Sequence, residues 1–131
     1  MTRSELEKRT KAFAIAVIRF VDKVPTNKAA QLMGGQLLRS ATSIGANYRE
    51  ASRAESRRDF VHKVAIVAKE ATESLYWIEL FEEAMIGNRE HVKQLSNECN
   101  QLVAIFIRMG KTAKENLARQ SAIRNPKSEI L

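Results

Sequence analysis

The stretch Leu37-Leu38-Arg39-Ser40-Ala41-Thr42-Ser43-Ile44-Gly45-Ala46-Asn47-Tyr48-Arg49-Glu50-Ala51 decides the fold, together with Ser56-Arg57-Arg58-Asp59-Phe60, which follows after four intervening residues. We interpret it as the end of one helix, a tight corner near residues 53–55 and the start of the next helix. Four polar residues of the stretch recur at helical spacing, so they share one face beside the apolar seam. This polar seam consists of Ser40, Ser43, Asn47 and Glu50. We expect it to fix helix register or a subunit contact, with its polar groups paired wherever they are buried.

Outward from this stretch, apolar residues at three- and four-residue steps predict four amphipathic helices. Pro25 ends the first helix, because the residue before proline is pushed out of the helical region. Gly87-Asn88 marks the last turn, and no segment alternates with the period of a strand. We predict an all-α, antiparallel up-down-up-down four-helix bundle over residues 1–120 and a mobile C-terminal tail over 121–131. The predicted helices span about 4–24, 27–53, 57–86 and 89–118.

The helix starts carry capping signals. The predicted caps are Ser4 with Glu7, Thr26 or Asn27, and Ser56 with Asp59. Gly34-Gly35 interrupts the second helix, and there we favour a fray or kink over the close approach of two helices. At Gly45 we favour close packing instead.

Length, charge and cysteine content limit the classes of protein to which this chain can belong. The chain has 131 residues, a net charge of +7 and one cysteine, Cys99, so it fits one domain without an internal disulfide. Its apolar runs are too short for a bilayer, and its first residues do not form a signal peptide. We therefore predict a cytoplasmic protein, and the basic balance favours RNA, DNA or acidic protein surfaces as partners.

Positive charge concentrates at the corner. Arg49 and Arg53 precede the corner, and Arg57 and Arg58 follow it in the first turn of the third helix. A phosphate there would meet guanidinium groups and the free N–H groups of the helix start. The alternative is a solvated, charged turn. The candidate nucleic-acid-binding residues are Arg39, Arg49, Arg53, Arg57, Arg58 and Lys63.

The sequence offers no constellation for catalysis or cofactor binding. Cys99 lies on the apolar stripe of the fourth helix and is interpreted as a buried hydrophobic residue. Glu70 and Glu73 share a face, but no Glu-x-x-His pair accompanies them, so we interpret them as salt-bridge partners or interface residues rather than metal ligands. We expect no enzymatic activity, no metal and no cofactor.

Two adjacent aromatic residues, Tyr76 and Trp77, lie beside the main apolar stripe of the third helix. They indicate either a wide core face or a subunit interface, where tyrosine and tryptophan are enriched. Together with Glu73 they extend the set of residues that we assign to the polar seam or to an interface.

The stretch from Gln36 to Phe81 also resembles a known family. The segments Gln36–Ala51, Ala54–Ser56, Asp59-Phe60, Lys69–Ala71 with Glu73, and Tyr76-Trp77 are similar to the bacterial four-helix-bundle proteins of the 23S rRNA intervening-sequence family. Many members have Pro-Ser where this chain has Gly45-Ala46, and a glycine where it has Ala51. The family's characteristic positions fall on Arg39, Ser43, Asn47, Glu50, Phe60 and Glu73.

The resemblance implies an antiparallel bundle that assembles into a ring-shaped homo-oligomer, with a pentamer favoured, and it supplies no catalytic residues. A more distant similarity links it to basic pentameric accessory proteins of retroelements, which bind a reverse transcriptase and nucleic acid. Two hypotheses follow: an oligomer that binds nucleic acid, with structured RNA favoured, or a structural adaptor whose partner is another protein such as a polymerase or reverse transcriptase.

Overall fold

The computed structural model describes residues 1–124, which form four helices: α1 (Arg3–Asp22), α2 (Lys28–Ala51), α3 (Arg57–Glu83) and α4 (Arg89–Arg124). These residues contain no strand. The helices pack in chain order, α1 on α2, α2 on α3 and α3 on α4, and a smaller contact between α1 and α4 closes the bundle. The predicted all-α four-helix bundle is therefore confirmed.

Two aromatic pairs join the diagonally opposite helices through the core. The Phe20 ring of α1 meets the Phe81 ring of α3 edge-on, with their centroids 5.0 Å apart. The ring centroids of Tyr48 of α2 and Phe106 of α4 lie 5.4 Å apart, with the two rings tilted by 58°. All four rings are buried, so one continuous core joins all four helices.

The small α1–α4 contact is reinforced by an ion pair. The Arg9 guanidinium donates two hydrogen bonds, of 2.8 and 2.7 Å, to the two carboxylate oxygens of Glu98. Both side chains are half-buried, and bidentate geometry of this kind is the strong form of the interaction. It ties the first half of α1 to the first third of α4.

The helix ends depart from the predicted ones mainly at α4. The prediction ended α4 near 118 and began the tail at 121, but the helix continues to Arg124, so 121–124 are helical and that part of the prediction is wrong. The rest of the predicted tail, 125–131, lies outside the described residues. The apolar periodicity fades because Ala113 is the last buried residue of α4, and beyond it the helix runs past the core with most of its surface solvated.

The caps agree with prediction except at α1. Thr2 caps α1 by accepting a hydrogen bond from the Glu5 N–H at 3.1 Å, and the Glu5 carboxylate accepts one from the Thr2 N–H at 3.4 Å. The capping box therefore lies two residues before the predicted Ser4 and Glu7. Asn27 caps α2 and Ser56 caps α3, as predicted.

Two glycines allow α1 and α2 to approach closely. A Cβ at Gly45 would lie 3.1 Å from the hydroxyl oxygen of the buried Thr10, which confirms the predicted close packing. A Cβ at Gly34 would lie 3.2 Å from the Val21 side chain, and α2 continues through this position. The fray or kink favoured at Gly34 is therefore wrong, because this glycine serves helix approach.

Cys99 is buried in the core, as predicted, and its thiol lies 3.5 Å from the Ala71 carbonyl oxygen. Burial raises its pKa to about 12. We therefore expect Cys99 in the folded protein to react with thiol reagents at about pH 8 only as fast as the protein opens, because the thiolate is the reactive form. Labelling rates with and without urea test this, and rapid labelling without urea would contradict it.

The same shift predicts a loss of stability at alkaline pH. The unfolded thiol ionises near its ordinary pKa of 9.0, whereas the folded thiol stays protonated to about pH 12. The buried Cys99 therefore makes its full contribution to the free energy of unfolding below pH 9. That contribution is lost as the pH rises from 9 to about 12. The urea midpoint of the native protein should fall more over this window than that of a Cys99→Ala variant.

Candidate nucleic-acid interface

The α2–α3 corner lies at one end of the bundle, beside the start of α1 and the last part of α4. The Arg3 guanidinium donates a hydrogen bond to the Ser52 carbonyl at 3.4 Å. The Glu7 carboxylate accepts hydrogen bonds from the Ser52 hydroxyl at 3.3 Å and from Arg53 at 3.2 Å. We call this part of the molecule the basic end and define it as residues 1–11, 46–63 and 108–124.

Charge is strongly segregated toward the basic end. It holds fourteen lysines and arginines against six acidic residues, whereas residues 12–45 and 64–107 hold seven against eight. The excess of positive charge of the described chain therefore lies at one end of the bundle. A localised excess of this kind attracts polyanions, which the same net charge spread evenly would do less well.

Three of the predicted arginines are exposed at the corner. Within residues 1–124, no carboxylate lies within 4.0 Å of the guanidinium groups of Arg49, Arg57 or Arg58. Their donors are therefore free to bind an anion without first breaking an ion pair.

The other three predicted cations are paired with carboxylates. Arg53 contacts Glu7, and Lys63 lies 3.5 Å from Asp59, one helical turn before it. Arg39 is remote from the corner, because it lies three turns before the end of α2 and binds Glu70 and Glu73 of α3. The structure thus brings five of the six candidates to the basic end and leaves three of them unpaired among the described residues.

A groove of about 860 Å³ runs between the corner and α4. Arg57, Arg58 and the half-buried Phe60 line its α3 side, and Asn116 and Gln120 line its α4 side. The sequence pattern did not reveal the α4 wall, because apolar periodicity has already faded there. The groove therefore combines guanidinium and amide donors with one half-buried aromatic ring, Phe60, which offers a base less stacking surface than a fully exposed ring would.

The polar seam passes from the core to the surface along α2. Ser40 is fully buried, and its hydroxyl oxygen lies 2.8 Å from that of Ser74 on α3. Ser43 and Asn47 are half-buried and donate to carbonyl groups of their own helix, whereas Glu50 is exposed. Only Ser40 therefore joins two helices, and its partner Ser74 was missed although it lies on the apolar stripe of α3.

The buried pair Ser40–Ser74 gives a testable coupling. We expect Ser40→Ala and Ser74→Ala each to lower the free energy of unfolding by about 1 kcal/mol, the usual net contribution of a hydrogen bond. The double variant should cost less than the sum of the two, because the second substitution removes a group whose partner is already gone. Urea unfolding measures the cycle, and additive effects would contradict the coupling. Thr72→Ala, an exposed control on α3, should change the free energy by about 0.5 kcal/mol or less.

Beside the seam, the predicted salt-bridge role of Glu70 and Glu73 is confirmed through Arg39. The Trp77 indole N–H lies 3.5 Å from the same Glu73 carboxylate, and the Trp77 ring packs against the core. Tyr76 meets Trp77 edge-on but is 54% exposed. Trp77 therefore contributes to a wide core face while remaining half-buried, and Tyr76 is the more exposed of the two rings.

Residues 1–124 contain neither a cluster of metal-binding side chains nor a helix that could span a membrane. No group of three or more histidine, cysteine or acidic side chains is arranged there to hold a metal ion. None of the helices in this range combines the length and the apolar character needed to cross a bilayer.

Comparison with known families identifies the chain. The family model for the 23S rRNA-intervening sequence protein matches residues 3–108. The chain belongs to this family. Among solved structures, a crystal structure of a protein of unknown function from the S23 ribosomal protein family of Bacteroides thetaiotaomicron is 34% identical, with a TM-score of 0.75. The similarity covers 85% of this chain and 99% of that one. No curated protein gave a significant match.

The match defines which part of the candidate interface belongs to the 23S rRNA-intervening sequence protein fold. It includes the corner, the polar seam and the unpaired Arg49, Arg57 and Arg58. It stops at residue 108, before Asn116 and Gln120. The α4 wall of the groove therefore lies outside the matched residues.

Proposed function

We propose that this protein is a non-enzymatic homo-oligomer that binds nucleic acid, RNA in particular, through its basic end. The observation that carries the proposal is the concentration of positive charge at that end, where Arg49, Arg57 and Arg58 are exposed and lack carboxylate partners among the described residues. Membership of a family named for an insertion in 23S rRNA supports RNA as the natural ligand.

Phosphate recognition follows from the chemistry of these groups. A guanidinium group binds phosphate oxygens with two parallel, charge-assisted hydrogen bonds. The aromatic residues nearest the corner offer little surface for stacking, since Tyr48 is buried and Phe60 is half-buried. Binding should therefore depend on the positions of the phosphates in a folded RNA rather than on the stacking of individual bases.

A salt titration tests this proposal. Binding of an RNA hairpin and of a DNA hairpin of the same sequence is measured by fluorescence anisotropy from about 50 to 300 mM salt. The logarithm of the association constant should fall linearly with the logarithm of the salt concentration, by about 0.9 for each phosphate contact to a duplex. Absence of binding at about 50 mM salt, where phosphate contacts are strongest, would rule the proposal out.

The oligomeric part of the proposal is tested separately. The family resemblance favours a ring of five chains, and light scattering would then give five times the chain mass of 14.8 kDa. The 260/280 nm absorbance ratio of the same peak reports nucleic acid that copurifies. A monomer at every concentration would contradict the proposed oligomer. It would not affect the nucleic-acid-binding proposal, which the salt titration tests.

A further inference from the structure

Two further surfaces of the bundle expose apolar side chains, and the first of them shares Lys8 and Lys11 with the basic end. The first lies on the outside of α1, where Ile15 and Ile18 are 39% and 47% exposed. Exposed Lys8, Lys11 and Arg19 surround them. We call these five residues the α1 face. Asp22 and Glu7, which pairs with Arg53, are acidic residues at its border, so the face is apolar at its centre and its five residues carry a net positive charge.

The second surface lies on the outside of α3. Tyr76 is 54% exposed and Leu80 is half-buried, and both lie on the same side of the helix as the exposed Glu79 and Glu83. We call these four residues the α3 face. Lys69, two turns before Tyr76, is the basic residue at its border, so this face is also apolar at its centre but carries a net negative charge.

We propose that the α1 face of one copy docks on the α3 face of a second copy. This inference rests on the self-association proposed above and names the surfaces that make it. Each face exposes large apolar side chains together with one sign of charge, and the two signs are opposite. Contact between two α1 faces or two α3 faces would bring like charges together, which complementary interfaces avoid.

The position of the two faces determines the type of assembly. Helices α1 and α3 are diagonal in the bundle and meet through core side chains such as Phe20 and Phe81, so their outer faces point to opposite sides. A contact between two different surfaces is heterologous, and each copy then binds two neighbours. Such a contact forms a ring if the rotation closes, which is compatible with a ring of five.

Charge reversal tests the pairing directly. The variant Lys11→Glu/Arg19→Glu makes the α1 face acidic, and the variant Glu79→Lys/Glu83→Lys makes the α3 face basic. Each double variant alone should dissociate to monomers in light scattering at about 100 mM salt, because its two faces now carry the same sign. The variant carrying all four changes should recover the native mass, because each of its contacts again joins an acidic face to a basic face. A 1:1 mixture of the two double variants should form complexes larger than a monomer in which the variants alternate, although alternation cannot close a ring of five. Association in the mixture also shows that both variants are folded.

Two results would overturn the proposal while leaving self-association intact. Retention of the native mass by either double variant would mean that its face is not at the contact, and loss without recovery would mean that the two faces do not pair. Ile107→Glu is the matched control, since Ile107 is 55% exposed on α4 and belongs to neither face, so it should keep the native mass. A native protein that is monomeric at every concentration would contradict both this docking proposal and the proposed oligomer. RNA titration of the same sample tests the nucleic-acid-binding proposal separately.

Discussion

Gly87→Ala is expected to lower the free energy of unfolding by about 2–4 kcal/mol, because the new Cβ meets both an unfavourable backbone conformation and a buried ring. Gly87 has a φ of 88°, and a residue with a Cβ pays about 1–2 kcal/mol for the left-handed region. The added Cβ would also lie 2.8 Å and 2.9 Å from two ring carbons of Phe20. Overpacking of this kind costs about 1–3 kcal/mol, because Phe20 cannot retreat without losing its contact with Phe81.

Urea unfolding of matched variants separates these two causes. Gly35→Ala is the control, because nothing lies within 4 Å of its added Cβ, and in an exposed helical position it should raise stability by about 0.5–1 kcal/mol. Gly87→Asn tolerates the backbone conformation better than alanine but keeps the Cβ, so it should recover only the backbone part of the loss. If Gly87→Ala were neutral, the turn and the Phe20 ring would have to adjust freely, contrary to the packing described.

The bundle could be predicted from the sequence because each helix buries one face, and burial leaves a period of 3.6 in the apolar residues. The same signal failed at the end of α4. Apolar periodicity reports burial rather than helicity, so it stops near Ala113 although the helix continues to Arg124. The fray or kink predicted at Gly34 was wrong for a related reason, since local helix propensity cannot show that Val21 of α1 packs against this glycine.

In the candidate site, too, local features could be predicted from the sequence, whereas contacts between residues distant in sequence could not. Capping signals placed Arg57 and Arg58 in the first turn of α3, which is local information. The partners of the other cations are distant in sequence, such as Glu7 for Arg53 and Glu73 for Arg39, and no local pattern shows them. Sequence therefore located the basic corner, whereas the fold decides which of its arginines are unpaired among the described residues.

Replacing these unpaired arginines together, as Arg49→Gln/Arg57→Gln/Arg58→Gln, is expected to weaken RNA binding by about 100- to 1000-fold at about 100 mM salt. Each charge-assisted hydrogen bond to phosphate contributes about 1.5 kcal/mol or more, which is roughly tenfold in affinity. The slope of the salt dependence should also become shallower by about 1 for each arginine that contacts a phosphate. Glutamine keeps a polar side chain of similar reach, so the change removes charge without adding repulsion.

The matched control removes the same charge from the opposite end of the bundle, as Lys28→Gln/Arg89→Gln/Lys93→Gln, three exposed cations outside the basic end. If location decides binding, the control should retain most of the affinity and the full salt slope. An equal loss in both variants would mean that net charge alone attracts the RNA, and the basic end would lose its role. Light scattering on the same samples gives the second readout: an intact oligomer with lost binding places the ligand at the corner, whereas dissociation to monomers would make the corner a subunit contact instead.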